Sequence, residues 1–139
     1  RDLRMSRGLG DVYKRQSWYR VDRFLHRVPY EKTPEVYAAC DILLKTSLLE
    51  SFSYPPLEMM ASGGYVVAVP NGGNLEYLKD GENCILYPQG NLAEAKAAIE
   101  RILTDAELRK KLDTGAEETV KERNWKRIEP QILEQYLGK

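Results

Sequence analysis

Two glutamates flank a short stretch rich in serine and proline, and the segment from residue 50 to residue 64 reads ESFSYPPLEMMASGG. Glu50 precedes the prolines. Glu58 falls within the first turns of the helix that Pro55 and Pro56 predict, because proline suits the start of a helix. A helix N-terminus offers partial positive charge and free amides, which bind phosphate. A carboxylate nearby can accept hydrogen bonds from a vicinal diol such as a ribose. The stretch therefore predicts a site for a phosphorylated, hydroxyl-rich ligand, with Glu50 meeting the group beyond the phosphates.

An ordinary explanation of the two glutamates stays open on spacing alone. Glutamate near a helix start is stabilised by the helix dipole by about 0.3–1 kcal/mol. A chain with 21 acidic residues also places two of them at this spacing by chance. Ser51 and Ser53 add weight to the ligand-binding interpretation, because small side chains let a ligand approach the backbone.

The elements that would position this stretch alternate between strands and helices. Apolar runs and alternation predict strands over 21–28, 41–47, 65–70 and 84–88. Proline, glycine and capping residues predict helices over 33–40, 55–62 and 75–80, the first with Thr33 as its N-cap. Such alternation indicates an α/β fold: a Rossmann-like parallel sheet with helices on both faces. Ligands bind beyond the carboxyl ends of strands in such sheets, which is where residues 47–53 fall.

A helical tail is predicted from about residue 91 to residue 139. Its first helix places five apolar residues on one face: Leu92, Ala95, Ile99, Ile102 and Leu103. Pro130 is expected to kink or start the last helix. We expect the two cysteines, Cys40 and Cys84, to be reduced and buried, since neither has metal spacing.

Composition excludes several classes of function. His26 is the single histidine, which argues against a histidine metal cluster or a Ser-His-Asp triad, so no metal site is expected. No apolar run approaches the roughly 20 residues of a membrane span. Residues 1–16 resemble a translated adapter from transposase-based sequencing libraries, so we expect them not to be native; a basic, flexible arm is the alternative. Without them the chain has a net charge of −3, which argues against nucleic-acid binding.

One long segment, CDILLKTSLLESFSYPPLEMMASGGYVVAVPNGGNLEYLKDGENCILYPQGN, resembles a known family. It is similar to the C-terminal, nucleotide-sugar-binding half of retaining GT-B glycosyltransferases, the family 4 group also called glycosyl transferases group 1. The residues that carry the resemblance match in order: Glu50, Phe52, Pro56, Glu58, Gly63, Val66, Val67, Gly72, Gly73 and Glu76. The likeness covers nearly all of residues 20–139 and is specific as an ordered set.

The resemblance implies roles for named residues. Glu58 would hold the ribose of the donor nucleotide, and Glu50 would be the catalytic carboxylate that holds the donor sugar. The amides of Ser51, Phe52 and Ser53 would lie against the sugar and pyrophosphate, and Val28 and Pro29 would border the base. A candidate loop would lie across the donor pocket, with a simple turn as the open alternative; it comprises Asn71, Gly72, Gly73 and Asn74.

Four residues depart from the family pattern, and one of them is His26, which replaces a usual glycine. Ser51 and Ser53 replace the two usual loop glycines, so the loop path must differ if either position needs a positive φ angle. Lys45 stands where the family often has an apolar residue or proline. These departures concern the loop path and the choice of donor more than the class of protein.

The resemblance also implies an activity and its partners. Residues 17–139 would be a partial, N-terminally truncated donor-binding domain of a cytoplasmic enzyme. That enzyme would transfer a hexosyl or deoxyhexosyl group with retention at the anomeric carbon, without a metal or cofactor. The fragment alone would be inactive. The donor would be a nucleotide sugar. The acceptor, a glycan, lipid-linked or small molecule, would be bound by an N-terminal domain absent here, with peripheral association at the inner membrane face. A GT-B epimerase or phosphorylase, or a catalytically silent GT-B binding module, are the alternatives.

Overall fold

The computed structural model describes residue 25 and residues 27–137. The segment 1–16 and most of the predicted strand over 21–28 lie outside the described residues. The chain divides into two compact units, Arg1–Thr33 and Pro34–Lys139. In the first unit, the described residues include a 3₁₀ turn, Tyr30–Lys32. All strands among the described residues belong to the second unit.

Three parallel strands form the sheet of the second unit. They are β1 (Ile42–Lys45), β2 (Tyr65–Ala68) and β3 (Ile85–Leu86), in the order β1-β2-β3. The central strand is rich in β-branched and aromatic residues, which favour a pleated, buried surface. Lys45 pairs with Ala68, so the carboxyl ends of β1 and β2 meet at one edge. The predicted parallel sheet is confirmed.

Helices cover both faces of this sheet. On one face, Val66 packs with Met59 and Met60 of helix α2, Tyr54–Ala61. On the other face, Val67 packs with Ala98 and Ile102 of helix α3, Leu92–Thr104. Neighbouring residues of a strand point to opposite faces, so β2 supplies both hydrophobic cores. The predicted Rossmann-like arrangement of helices is confirmed.

The helical tail continues through α4 (Ala106–Glu122) and α5 (Trp125–Leu137). Side chains of Asn91 and Asp105 cap α3 and α4 by accepting hydrogen bonds from backbone N–H groups one turn on, at Glu94 and Leu108. Such caps stabilise a helix by about 1 kcal/mol.

Several local predictions are wrong. Leu92 and Leu103 are 82% and 62% exposed, because the buried face of α3 is centred on Ala95, Ala98 and Ile102. Pro130 lies inside α5 and does not start it, so the kink that was the other expected effect stays a prediction. Cys40 is exposed, whereas Cys84 is buried as expected, and burial raises the pKa of its thiol to about 12.

One predicted helix lacks its expected cap, and another does not form. Thr33 is not an N-cap, because the 3₁₀ turn precedes it and it begins helix α1, Thr33–Ala38. The predicted helix over 75–80 does not form: residues 75–77 lie in turns, and Asp80 forms an isolated parallel bridge with Cys84. The Asn83 side chain accepts from Lys79 N–H and donates to the Tyr77 carbonyl, which ties up groups that a helix would use.

Candidate functional site

The loop from β1 to α2 ends in a strained serine. Ser53 precedes the first residue of α2 with a φ angle of 67°, in the left-handed region. Serine pays an energetic penalty there that glycine does not. The position therefore does use a positive φ, and serine adopts it; a loop path different from that of the family stays a prediction.

Contacts with the rest of the fold hold Ser53 in this conformation. The buried Tyr77 hydroxyl donates a hydrogen bond to the Ser53 carbonyl oxygen. The Ser53 side chain does not cap α2, and its hydroxyl is buried without a hydrogen-bond partner. Pro55 and Pro56 have no N–H group, so among the first three residues of α2 only Tyr54 carries a backbone donor, which the Ser53 side chain does not cap. With the positive end of the helix dipole, this donor can face an anionic group.

Glu50 lies on the same loop and is held by two side chains. The Lys45 ammonium donates to its carboxylate and also donates to the Ser47 hydroxyl at 2.7 Å. The side chains of Lys45 and Glu50 are 14% and 29% exposed. The hydrogen bond from Lys45, followed by the one from Ser47, holds the pKa of Glu50 below its ordinary value. Glu50 is therefore an ionised acceptor at neutral pH.

The candidate loop 71–74 is a compact turn built from two buried asparagines. The Asn71 side-chain oxygen accepts from the N–H groups of Gly73 and Asn74 at 3.1 and 3.0 Å. The Asn74 side chain accepts from Asn71 N–H and donates to the Val69 carbonyl, both at 2.9 Å. These bonds fix the loop where it leaves β2.

The same loop touches the segment that carries Glu50. The Asn71 side chain donates to the Ser47 carbonyl oxygen at 2.9 Å. A Cβ atom built on Gly73 would lie 2.5 Å from the Glu50 carbonyl oxygen and 2.8 Å from the Ser51 carbonyl carbon. Only glycine fits such a close approach, so the structure brings the two loops together at the carboxyl edge of the sheet.

Glu58 projects from α2 and is partly buried. The Tyr37 hydroxyl of α1 donates a hydrogen bond to its carboxylate. Burial, the bond to Glu58 and the negative charge of Glu58 raise the pKa of Tyr37 to about 12. A carboxylate has about four acceptor positions, so this bond leaves Glu58 able to accept further hydroxyl groups.

A cavity of about 550 Å³ opens beside Glu58. Phe52, Tyr54 and Glu58 line it from the loop and α2, and Val120, Arg123 and Trp125 line it from α4 and the start of α5. The Phe52 ring lies 5.1 Å from Tyr54 and 5.4 Å from Tyr77, centroid to centroid. Arg123 stacks 6.0 Å above Phe52 and donates to the Glu76 carboxylate at 2.6 Å. Phe52 is thus a packed side chain that anchors the loop.

The structure gathers most of the predicted site residues in the second unit, at the loop 50–53, in α2 and in the loop 71–74. Val28 and Pro29 belong to the first unit, where the Pro29 carbonyl accepts from Lys32 N–H at 3.0 Å. Their predicted role beside the base therefore stays a prediction. Within the described residues, no group of three metal-ligating side chains comes together. None of the described helices is long and apolar enough to cross a membrane.

Three residues of this site were not predicted from the sequence: Lys45, Tyr37 and Tyr77. Lys45 carried a usable signal, since a lysine at the end of a buried strand needs a partner for its charge. Tyr37 and Tyr77 carried none, because tyrosine is common in partly buried helices and turns.

Comparison with known proteins defines the class to which this fold and site belong. The family model described as glycosyl transferases group 1 matches residues 22–119. The chain belongs to this family. Its structural neighbours are GT-B glycosyltransferases, and the second unit has the architecture of a GT-B C-terminal domain.

Three relatives illustrate the similarity. The O-antigen biosynthesis protein RfbC of Myxococcus xanthus is 35% identical over 117 residues, which cover 82% of this chain and 9% of RfbC. The Anabaena protein HepE in complex with UDP has a TM-score of 0.70 at 29% identity, covering 76% of this chain and 30% of HepE. A group 1 C-terminal domain, LpcC from Francisella tularensis, has a TM-score of 0.64 at 26% identity, covering 88% and 63% of the two chains. The chain thus spans a small part of the length of RfbC and HepE.

Proposed function

We propose that this chain is the donor-binding part of a retaining, metal-independent glycosyltransferase that uses a nucleotide-activated sugar. The observation that carries the proposal is the convergence of three features at the carboxyl edge of the sheet. These are the ionised Glu50, the uncapped N-terminus of α2, and the loop 71–74 that contacts the Glu50–Ser51 peptide. Complexes of HepE with UDP and with UDP-glucose support a nucleotide sugar as the ligand class.

In the proposed complex, each feature meets one part of the donor. Glu58 accepts hydrogen bonds from the two ribose hydroxyls, in the position that its bond to Tyr37 fixes. The backbone amides of residues 51–54, at the positive end of the α2 dipole, receive the diphosphate, and Glu50 accepts from hydroxyls of the sugar beyond it. The two carboxylates thus bind the ribose and the sugar at the two ends of the donor, and the amides between them bind its negatively charged diphosphate.

The chemistry proposed for the transfer is electrostatic. As the bond between sugar and diphosphate breaks, negative charge grows on the leaving diphosphate. Preorganised amides and a helix N-terminus stabilise such developing charge without rearrangement, and this is a large contribution to many enzymatic rates. We propose that this takes the place of a metal ion. The acceptor binds outside the residues described, and the name of RfbC is consistent with a polysaccharide product.

Calorimetric titration of this chain with UDP and with UDP-glucose tests the proposal, in buffer with EDTA and again with magnesium. Binding of both ligands in EDTA, with tighter binding of UDP-glucose, is expected. Binding that requires magnesium would contradict the metal-free proposal. A folded chain that binds neither ligand would favour a silent GT-B module. The anomeric configuration of the product of a transferase that carries this domain, measured by proton NMR, tests retention.

A further inference from the structure

Lys45 is an unusual residue for its position in the fold. It is the last residue of β1, next to Ala68 of the central strand, and its side chain is only 14% exposed. Lysine is rarely buried unless its charge is paired, because the ammonium loses hydration. Its side chain donates to Ser47 and Glu50, which both lie on the loop that follows β1.

We propose that Lys45 is a positioning residue for the donor sugar, which fixes the Glu50 carboxylate in one orientation beside the loop 71–74. This inference rests on the proposed function and goes beyond it, since it assigns a role to a side chain that does not itself touch the donor. A carboxylate on a loop would otherwise sample several rotamers, and ordering it on binding would cost conformational entropy.

The surrounding contacts explain how one lysine orders the loop. Lys45 bridges Ser47 and Glu50, and the Ser47 carbonyl in turn accepts from the Asn71 side chain at 2.9 Å. A strand end, the Glu50 segment and the loop 71–74 are thereby joined through one set of hydrogen bonds. The carboxylate retains acceptor positions beyond those that Lys45 and Ser47 use, so it can still bind a sugar hydroxyl.

The charge state of Glu50 offers a readout that a purely structural role would not change. The groups that face Glu50 are Lys45 on β1, Ser47 on the loop and Tyr77 from the turns after β2, whose pKa Glu50 helps to raise. Because Lys45 lowers the pKa of Glu50, the ionised acceptor persists above that pKa and is lost as the pH falls through it. Without Lys45, this loss should move to higher pH, toward the ordinary value of about 4.3.

The test compares Lys45→Met, Lys45→Arg and Lys96→Met, the last removing an exposed lysine of α3 as a charge control. UDP and UDP-glucose are titrated from pH 4 to pH 7, with circular dichroism to verify folding. Lys45→Met should weaken UDP-glucose about tenfold at pH 7 and leave UDP nearly unchanged. As the pH is lowered, the preference of Lys45→Met for UDP-glucose over UDP should also disappear at a higher pH than that of the wild type. Lys45→Arg should restore most of the affinity, and Lys96→Met should bind as the wild type does.

The outcomes separate this inference from the proposed function. Wild-type protein that binds neither ligand would refute the proposed function. Wild-type binding together with equal losses of UDP and UDP-glucose in Lys45→Met, or with no loss, would overturn the role of Lys45 alone. If Lys45→Met does not fold, the NMR titration of the Glu50 carboxyl carbon in the wild type decides. A pKa well below 4.3 supports the role, and an ordinary pKa overturns it.

Discussion

The contact between the loop 71–74 and the Glu50 segment can be tested by adding one methyl group. In Gly73→Ala, the new Cβ would lie 2.5 Å from the Glu50 carbonyl oxygen and 2.9 Å from the Glu50 carbonyl carbon. Comfortable separations are about 3.5 Å, so one of the two backbones must move by about 1 Å. Neither backbone is free to move without loss, because Asn71 and Asn74 hold one of them through four hydrogen bonds to backbone groups.

The expected cost of Gly73→Ala follows from that geometry. Overpacking costs about 1–3 kcal/mol, and giving up one or two of the loop hydrogen bonds falls in the same range. We therefore expect a loss of about 2 kcal/mol, or about 8 °C in melting temperature for a domain of this size. Because the displaced peptide carries Glu50, UDP-glucose should lose more affinity than UDP.

Gly72→Ala is the matched control for this measurement. A Cβ on Gly72 would meet nothing within 4 Å, so its effect should stay within about 0.5 kcal/mol. Thermal unfolding and calorimetric titration of both variants with both ligands make the comparison. If Gly73→Ala behaved as Gly72→Ala does, in stability and in binding, the inferred contact between the two loops would be refuted.

Three further predictions concern side chains that hold the loop and α2. Ser53→Gly should raise the free energy of unfolding by about 1 kcal/mol, because it removes the strained φ of 67° and a buried, unpaired hydroxyl. Ser53→Ala keeps the strained φ and loses the hydroxyl, so it should gain less stability than Ser53→Gly. Denaturant unfolding measures both variants, and a loss of stability in Ser53→Gly would contradict the prediction. Tyr77→Phe should lower stability by about 1–2 kcal/mol, since the Ser53 carbonyl loses its donor; an unchanged unfolding midpoint would argue against that bond. The pKa of Tyr37 is raised to about 12, so its contribution to the free energy of unfolding is complete below pH 10 and is lost as the pH rises toward 12. In Tyr37→Phe this loss of stability should be absent, which unfolding measurements across that pH range would show. The same pH dependence in both proteins would contradict the assignment.

The elements with strong periodicity could be predicted from the sequence. β1 and β2 are apolar runs bounded by turn residues. Helix α2 has two prolines in its first turn and is followed by glycines, of which Gly63 has a φ of 80°. The same prolines predicted that the helix starts after Glu50 and that Glu58 lies within its first turns. These features are local, so a single sequence displays them.

The parts that could not be predicted depend on contacts between distant residues. The bond from Tyr37 to Glu58 joins two helices, and no spacing rule predicts it. Residues 75–80 have helical composition, but the Asn83 side chain binds their backbone and favours turns. The pairing of Lys45 with Glu50 crosses a loop, where neither helical nor strand periodicity applies.

The division of roles between the two carboxylates is tested by titrating UDP and UDP-glucose against Glu58→Ala and Glu50→Gln. Glu58→Ala should weaken both ligands by about tenfold to a hundredfold, because hydrogen bonds to a charged group contribute about 1.5–3 kcal/mol. Glu50→Gln should leave UDP nearly unchanged and weaken UDP-glucose alone. Equal effects of Glu50→Gln on the two ligands, or no effect of either variant, would contradict the assignment of Glu58 to the ribose and Glu50 to the sugar.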